Sequence, residues 1–293
     1  MKLKYIKGIK ANLKIYTSKY STSVIEGKYR SIYKGKSLNF ETLRAYVTED
    51  DVKDIDWKSS ARSNNLLVKE YIAEKKHKLM FIIDTGEKMD GISRSSERKL
   101  DIALYIAGTL GYLGVTNGDY ISAIIEENET LIHYPFKYNY ESLEEILTLY
   151  DKYGSKPNKT SLDDKLRNLY HGIKKNMIVF VITDHDGLED LDEKLMKEIS
   201  AVHDLMVITI PDAYMYGEDL LDLETHKRIP TFLSKNVNLH EEEIRLRKEQ
   251  EENNERKLKR NHIDTIDIDN IESIPEKLID LLERHKYGGS RRK

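Results

Sequence analysis

Lys78-Leu79-Met80-Phe81-Ile82-Ile83-Asp84-Thr85-Gly86-Glu87-Lys88-Met89 decides how this chain folds. Five apolar residues in succession, two of them β-branched, end at an aspartate and then at a glycine-containing break. A short unbroken apolar run closed by turn residues predicts a strand buried on both faces of a parallel sheet. Asp84 then stands at the strand's carboxyl end, where open α/β sheets keep their ligand crevice. The pattern returns at Met177-Ile178-Val179-Phe180-Val181-Ile182-Thr183-Asp184, again an apolar strand that delivers an aspartate.

Strand and helix signals alternate around these two stretches. Leu100, Ala103, Leu104, Ala107, Leu110 and Gly111 fall at helical spacing and predict a helix from about Glu97 to Leu113. A turn at Asn117-Gly118-Asp119 precedes the strand Tyr120 to Ile125, with Glu129 to Tyr134 as its hairpin neighbour. Leu143 to Tyr150 and Leu162 to Ile173 read as helices. Leu188 to Val202 reads as one further helix, and Leu205 to Ile210 as a strand closed by Pro211. Short loops between alternating elements argue a mainly parallel sheet with helices on both faces. Farther on, Leu220 to Leu223 and Arg228 to Phe232 suggest a hairpin. Leu239 to about Arg260 reads as a long charged outer helix with no apolar heptad, Ile266 to Ile268 as a last strand, and Pro275 as the opening of a final helix.

The first 76 residues have a different texture. β-rich pieces stand at Leu13 to Thr17, Thr22 to Ile25 and Leu66 to Ala73, with a turn at Lys34-Gly35-Lys36-Ser37. The expected organisation is therefore a β-rich module over residues 1–76, an α/β domain over 77–287 and a basic tail over 288–293.

Composition limits the function classes. A chain of 293 residues with 34% charged side chains buries a full core beneath a heavily charged surface. A formal net charge of −3 argues against a nucleic-acid partner. Absence of cysteine removes disulfides, Cys-based zinc sites and thiol nucleophiles together. No apolar run approaches the roughly 20 residues of a membrane helix, and the basic start Met-Lys-Leu-Lys lacks a signal peptide's apolar segment. A cytoplasmic protein is the default expectation.

Three stretches carry a family resemblance. Leu43-Arg44-Ala45-Tyr46, an acidic turn from Glu49 to Asp54, and then Ile55-Asp56-Trp57 and Ser60-Ala61-Arg62 resemble the signature of the bacterial domain-of-unknown-function family 58. Phe81 to Met89 resembles that family's first core strand. Ile210-Pro211-Asp212 with Leu221-Asp222-Leu223-Glu224-Thr225 resembles a later segment, although Pro and Asp are reversed and His226 replaces a final glycine. The resemblance implies a von Willebrand factor A-like (Rossmann-like) α/β core. Members often carry membrane helices ahead of the signature; none stands ahead of Leu43, so the short soluble form is expected. Genes of the family commonly neighbour a MoxR-type AAA+ ATPase, which implies an adaptor or accessory role beside such an enzyme.

An A domain typically binds Mg²⁺ through Asp-x-Ser-x-Ser, a distant Thr and a distant Asp. Carried over to this chain, Asp84 supplies the first aspartate, but the serine positions are Gly86 and Lys88. Thr160 or Ser161 stands for the threonine and Asp184 for the last aspartate. With two hydroxyl ligands gone and an ammonium beside two carboxylates, a degenerate, metal-free site is expected, because Lys88 neutralises the aspartates directly. The competing readings are a Mg²⁺-dependent binding domain that uses Asp84, Thr160 and Asp184, and a phosphate-ester hydrolase with Asp84 as nucleophile. The hydrolase lacks a second acid at Gly86, and neither a phosphate-binding Gly-x-x-x-x-Gly-Lys loop nor a Gly-x-Ser-x-Gly elbow is present. A non-catalytic interaction domain is the expectation, docking through the loops at Asp84 to Asp90, Lys156 to Ser161 and Asp184 to Gly187. Arg44, Tyr46, Asp51, Asp56, Trp57 and Arg62 are read as a structural clasp: an Asp–Arg pair and a packed indole. Asp184-His185-Asp186 reads as a solvated turn.

Overall fold

The computed structural model describes residues 4–17, 26, 27, 29, 42–48, 50–63, 65–70, 76–157, 159–223 and 226–289. In chain order, helix α1 (Lys4–Thr17) is followed by strand β1 (Thr42–Ala45), helix α2 (Trp57–Ser63) and strand β2 (Leu67–Glu70). The central domain runs β3 (Lys78–Ile83), α3 (Lys99–Thr116), β4 (Tyr120–Glu127), β5 (Thr130–His133), α4 (Tyr140–Tyr153), α5 (Leu162–Gly172) and β6 (Ile178–Thr183). It continues through α6 (His185–Glu189), α7 (Glu193–Val202) and β7 (Asp204–Thr209). The last elements are α8 (Thr231–Ser234), α9 (Val237–Arg260), β8 (Asp264–Asp267) and α10 (Ile274–Gly289).

Six strands form one sheet in the order β5-β4-β3-β6-β7-β8. All neighbours run parallel except β5, which pairs antiparallel with β4. The order reverses between β4 and β6 on either side of β3, as in doubly wound folds. Side-chain alternation explains why the central strands read as unbroken apolar runs. Leu79, Phe81 and Ile83 of β3 and Ile178, Phe180 and Ile182 of β6 enter one core with α1, α3, α4 and α10. Met80, Ile82, Val179 and Val181 enter the other with α5, α7 and the end of α9. Both faces are covered, so both sets of positions must be apolar. Among the described residues no helix is long and apolar enough to cross a membrane.

Several elements differ from the sequence expectation. Leu13 to Thr17 lies in α1, not in a strand. The buried Glu144 carboxylate of α4 accepts from the backbone N–H groups of Tyr5 and Ile6 at 2.9 and 3.0 Å, and so satisfies the first turn of α1. With its start capped and Ile6 and Ile9 buried, tertiary context overrides the local β propensity. The Leu188 to Val202 segment is two helices, because Asp192 leaves the helical path and accepts from Lys194 N–H to start α7. The hairpin at 220–232 reduces to a single bridge, Leu221 to Arg228, and Pro230 opens α8 in place of a second strand. The strand expected at Leu66 to Ala73 is Leu67–Glu70 where described. The pieces at Thr22 to Ile25, Lys34 to Ser37, 71–73 and 290–293 lie outside the described residues.

Glu144→Ala removes the buried carboxylate that accepts from the Tyr5 and Ile6 N–H groups. The expected cost is about 1–3 kcal/mol, read as a lower melting temperature and faster hydrogen exchange confined first to α1. Unchanged protection of α1 amides counts against this anchoring.

A lysine-bridged aspartate pair at the sheet's switch point

Asp84 and Asp184 follow β3 and β6, the two strands that flank the point where the strand order reverses. The parallel register Ile83 to Ile182 brings the two strand ends level, so two aspartates far apart in sequence become neighbours. Lys88 sits between them. Its Nζ lies 2.8 Å from Asp84 Oδ2 and 3.1 Å from Asp184 Oδ1. Lys88 reaches back from a one-turn 3-10 helix, Glu87–Asp90, that starts at Gly86. Gly86 has φ of +117°, a conformation that favours glycine, and its N–H donates to Gly154 O.

Every oxygen of the two carboxylates has a partner. Asp84 accepts from Thr183 Oγ1 at 2.7 Å and from Thr85 N–H at 2.8 Å. Asp184 accepts from Gly187 N–H at 2.7 Å as the cap of α6, and from the buried Lys99 Nζ at 3.0 Å. Lys99 also pairs with Asp212, beyond β7. A Cβ on Gly187 would lie 2.4 Å from Asp84 Oδ2 and from Thr183 Oγ1 and 2.8 Å from Lys88 Nζ, so the α6 turn closes on the bridge only as glycine. Lys165, fully buried on α5, donates to Thr85 Oγ1 at 2.5 Å and to Ile83 O at 3.3 Å.

Charge states follow from these contacts. Burial alone depresses the Lys88 ammonium, but Asp84 and Asp184 more than offset it and hold it protonated above the ordinary lysine range. Lys99 is raised in the same way, Asp184 and Asp212 overcoming its burial. Burial raises the Asp184 carboxyl, yet Lys99, Lys88 and the Gly187 N–H hold it at about 2. Burial dominates at Lys165, and its pKa falls to about 8. Two ammonium groups, Lys88 and Lys99, thus contact the pair, a third, Lys165, is held beside it at Thr85, and no cluster of three or more His, Asp and Glu groups suited to a metal occurs among the described residues.

Of the expected site residues, Asp84, Gly86, Lys88 and Asp184 meet at this bridge. Thr160 and Ser161 line the same cleft of about 510 Å³, together with Pro157, Lys159 and Asp190, but neither bonds to the aspartates. Thr160 Oγ1 and N–H donate to Glu126, and Ser161 forms a capping box with Asp164 at the start of α5. His185 and Asp186 diverge, His185 lying 3.5 Å from Asp267 and Asp186 accepting from Gln250. Lys99 and Lys165 were not anticipated. Their signal is a lysine on the apolar stripe of an otherwise amphipathic helix: Lys165 between Leu162, Leu166 and Leu169, and Lys99 four residues before Ala103.

The clasp reading needs correction. Trp57 is 63% exposed, not packed. The Asp–Arg pair is Arg44 with Asp50, a two-pronged contact whose Nη1–Oδ2 distance is 2.6 Å, and it does not involve Asp51, Asp56 or Arg62. Asp51 and Asp56 are spent on caps, accepting from Lys53 N–H and from Lys58 and Ser59 N–H. Arg62 is exposed, and Tyr46 N–H donates to Leu66 O.

Two measurements check these assignments. Between about 8 and the ordinary lysine value of about 10.5 the unfolded chain binds one more proton than the folded one at Lys165, so stability rises with pH across that window. Lys165→Met is expected to flatten the rise in urea midpoints between pH 8 and 10; an unaltered slope assigns it elsewhere. Trp57, the single tryptophan, is expected to show red-shifted emission that acrylamide quenches readily, whereas blue-shifted, protected emission means a packed indole.

The family described as "Protein of unknown function DUF58" matches residues 42–222. Uncharacterized proteins of Mycobacterium tuberculosis and Mycobacterium bovis are 23% identical over 112 residues, 38% of this chain and 35% of theirs. The chain thus spans about a third of the length of the curated relatives it matches. Among solved structures, the conserved hypothetical protein BatB from Bacteroides thetaiotaomicron aligns at 13% identity and TM-score 0.43, covering 72% of this chain and 99% of that one. An aerotolerance-related membrane protein from Bacteroides fragilis aligns at 15% identity and TM-score 0.41, covering 71% and 99%. A von Willebrand factor type A protein from Catenulispora acidiphila aligns at 9% identity and TM-score 0.34, covering 74% and 43%.

Proposed function

The chain belongs to the family of proteins of unknown function DUF58, and from that premise we propose that it is a non-catalytic docking protein with a degenerate metal-ion-dependent adhesion site. Its partner is a MoxR-type AAA+ ATPase, and the pair works in the cytoplasm. The docking face is the rim of the cleft at the carboxyl end of the sheet, from Asp84 to Lys88, Pro157 to Ser161 and Asp184 to Gly187. The observation that carries this reading is the Lys88 ammonium bridging Asp84 and Asp184. It occupies the place between the two carboxylates where a divalent cation would have to sit, and neutralises them without one. Magnesium demands near-octahedral oxygen ligands, and here a resident ammonium competes for both aspartates.

The same bridge argues against catalysis. Asp84 is 3% exposed, and both its oxygens are engaged by Thr183, Lys88 and the Thr85 N–H. Attack on a phosphate ester would require Lys88 to leave and Asp84 to shed a hydroxyl donor. Gly86 offers no acid for the leaving group.

Purified MoxR-type ATPase from the same genome provides the test, captured by the immobilised protein without nucleotide, in magnesium and then in EDTA. Equal recovery in both buffers is expected, together with no calorimetric signal when Mn²⁺ at micromolar concentration titrates the protein. Micromolar Mn²⁺ binding abolished by Asp84→Ala, with capture that needs the ion, establishes the magnesium-dependent domain instead. Turnover of a phosphate ester abolished by Asp84→Asn establishes the hydrolase.

A further inference from the structure

The β1–α2–β2 unit is turned inside out relative to the rest of the chain. Ile55 and Val68 are buried, joined by a bridge between their backbones. Leu43, Val47, Val52, Trp57 and Leu66 are exposed at 40, 58, 57, 63 and 47%. Neither Ile55 nor Val68 joins the two cores that cover the central sheet. Indole is the largest apolar side chain a protein can bury, and here it is exposed on a small unit together with four further apolar side chains, the kind of surface that partners cover.

Trp57 is also held in place. Asp56 Oδ1 accepts from Lys58 and Ser59 N–H at 3.1 and 3.0 Å and fixes the first turn of α2. Asp56 N–H donates to Leu67 O at 2.9 Å, and Ser60 Oγ accepts from Leu67 N–H at 2.9 Å, so the helix is latched to β2 through its inner side. Arg44 and Asp50 lock the turn before it. Positions 57, 58, 61 and 62 share the opposite side of the helix, and all four side chains are exposed. That side therefore carries an indole, a small alanine and two cations. Among the described residues neither Lys58 nor Arg62 has an ion-pair partner.

We propose that the outer side of α2, formed by Trp57, Lys58, Ala61 and Arg62, is a second protein-docking surface whose partner offers an apolar socket for the indole with carboxylates on its rim. Charge complementarity sets that chemistry: the two exposed cations flank the aromatic anchor, the arrangement that concentrates binding energy at protein interfaces. A nucleic acid fits less well. Two cations release few counterions, and Asp50, Asp51 and Asp56 stand beside them in a chain of net charge −3. The surface is separate from the lysine-bridged cleft. It rests on the preceding section for the identity of the partner.

The test is the affinity of the purified MoxR-type ATPase for the full chain, measured for wild type, Trp57→Ala, Trp57→Phe and the double variant Lys58→Glu with Arg62→Glu. Because these side chains are exposed, melting temperatures should stay near wild type, which separates lost docking from lost folding. Trp57→Ala and the double charge reversal are each expected to weaken binding about tenfold or more. Trp57→Phe should retain most of it, and only the charge effect should shrink with added salt. ATPase binding that is unchanged in Trp57→Ala and in the double variant overturns this surface and leaves the cleft reading intact. No binding by the wild type removes both. A fluorescein-labelled single-stranded oligonucleotide bound through Trp57, or self-association of the chain lost in Trp57→Ala, overturns it in favour of a nucleic acid or a second copy.

Discussion

Two buried aspartates side by side are the constraint around which this protein is arranged. A doubly wound parallel sheet brings the carboxyl ends of β3 and β6 together at its switch point, and each strand delivers an aspartate there. Unpaired carboxylates in such a place would be costly, because the low-dielectric interior strengthens their repulsion and removes their hydration. The chain answers with ammonium groups. Lys88 bridges both, Lys99 holds the far oxygen of Asp184, and Asp212 balances Lys99. The charges of Asp84, Asp184 and Asp212 are thereby met largely from within the fold.

The layers outside the bridge keep it in register. α9, mostly exposed, earns its position through polar contacts with the α6 turn. Lys257 Nζ takes the carbonyls of Leu188, Glu189 and Leu191, Asn254 donates to His185 O, and Gln250 reaches Asp186 and Glu189. These bonds fix the turn that presents Gly187 N–H to Asp184. On the opposite strand, the Gly86 turn and the 3-10 helix aim Lys88 inward. Two of the cleft's rim segments, Asp84 to Lys88 and Asp184 to Gly187, are thus positioned by backbone and side-chain bonds from neighbouring elements.

The central sheet was legible because β3 and β6 are short apolar runs followed by aspartate, the pattern of a parallel strand covered on both faces. The bridge itself was half legible: the aspartates and Lys88 follow from the motif, whereas Lys99 and Lys165 act across 85 and 80 residues of sequence in their contacts to Asp184 and Thr85. Thr160 shows the reverse error. The family resemblance put it beside the aspartates, but Glu126 on β4 takes its hydroxyl. The N-terminal segment misled because Ile, Tyr and Thr favour strands locally, while a carboxylate on α4 rewards a helix there. Trp57 misled through a general preference, since a lone tryptophan beside Asp and Arg ordinarily packs. Here capping consumes the aspartates and leaves the indole outside.

The protonation of Lys88 is the most direct test of the central interaction. Nitrogen-15-labelled lysine and detection of the Nζ resonances across pH 6 to 12 would follow the ammonium itself, with Lys88→Met for assignment. A bridge between two carboxylates predicts a Lys88 signal that stays protonated above the range of the surface lysines and shows slowed proton exchange. A Lys88 resonance that titrates with the surface lysines, and exchanges as freely, would contradict it.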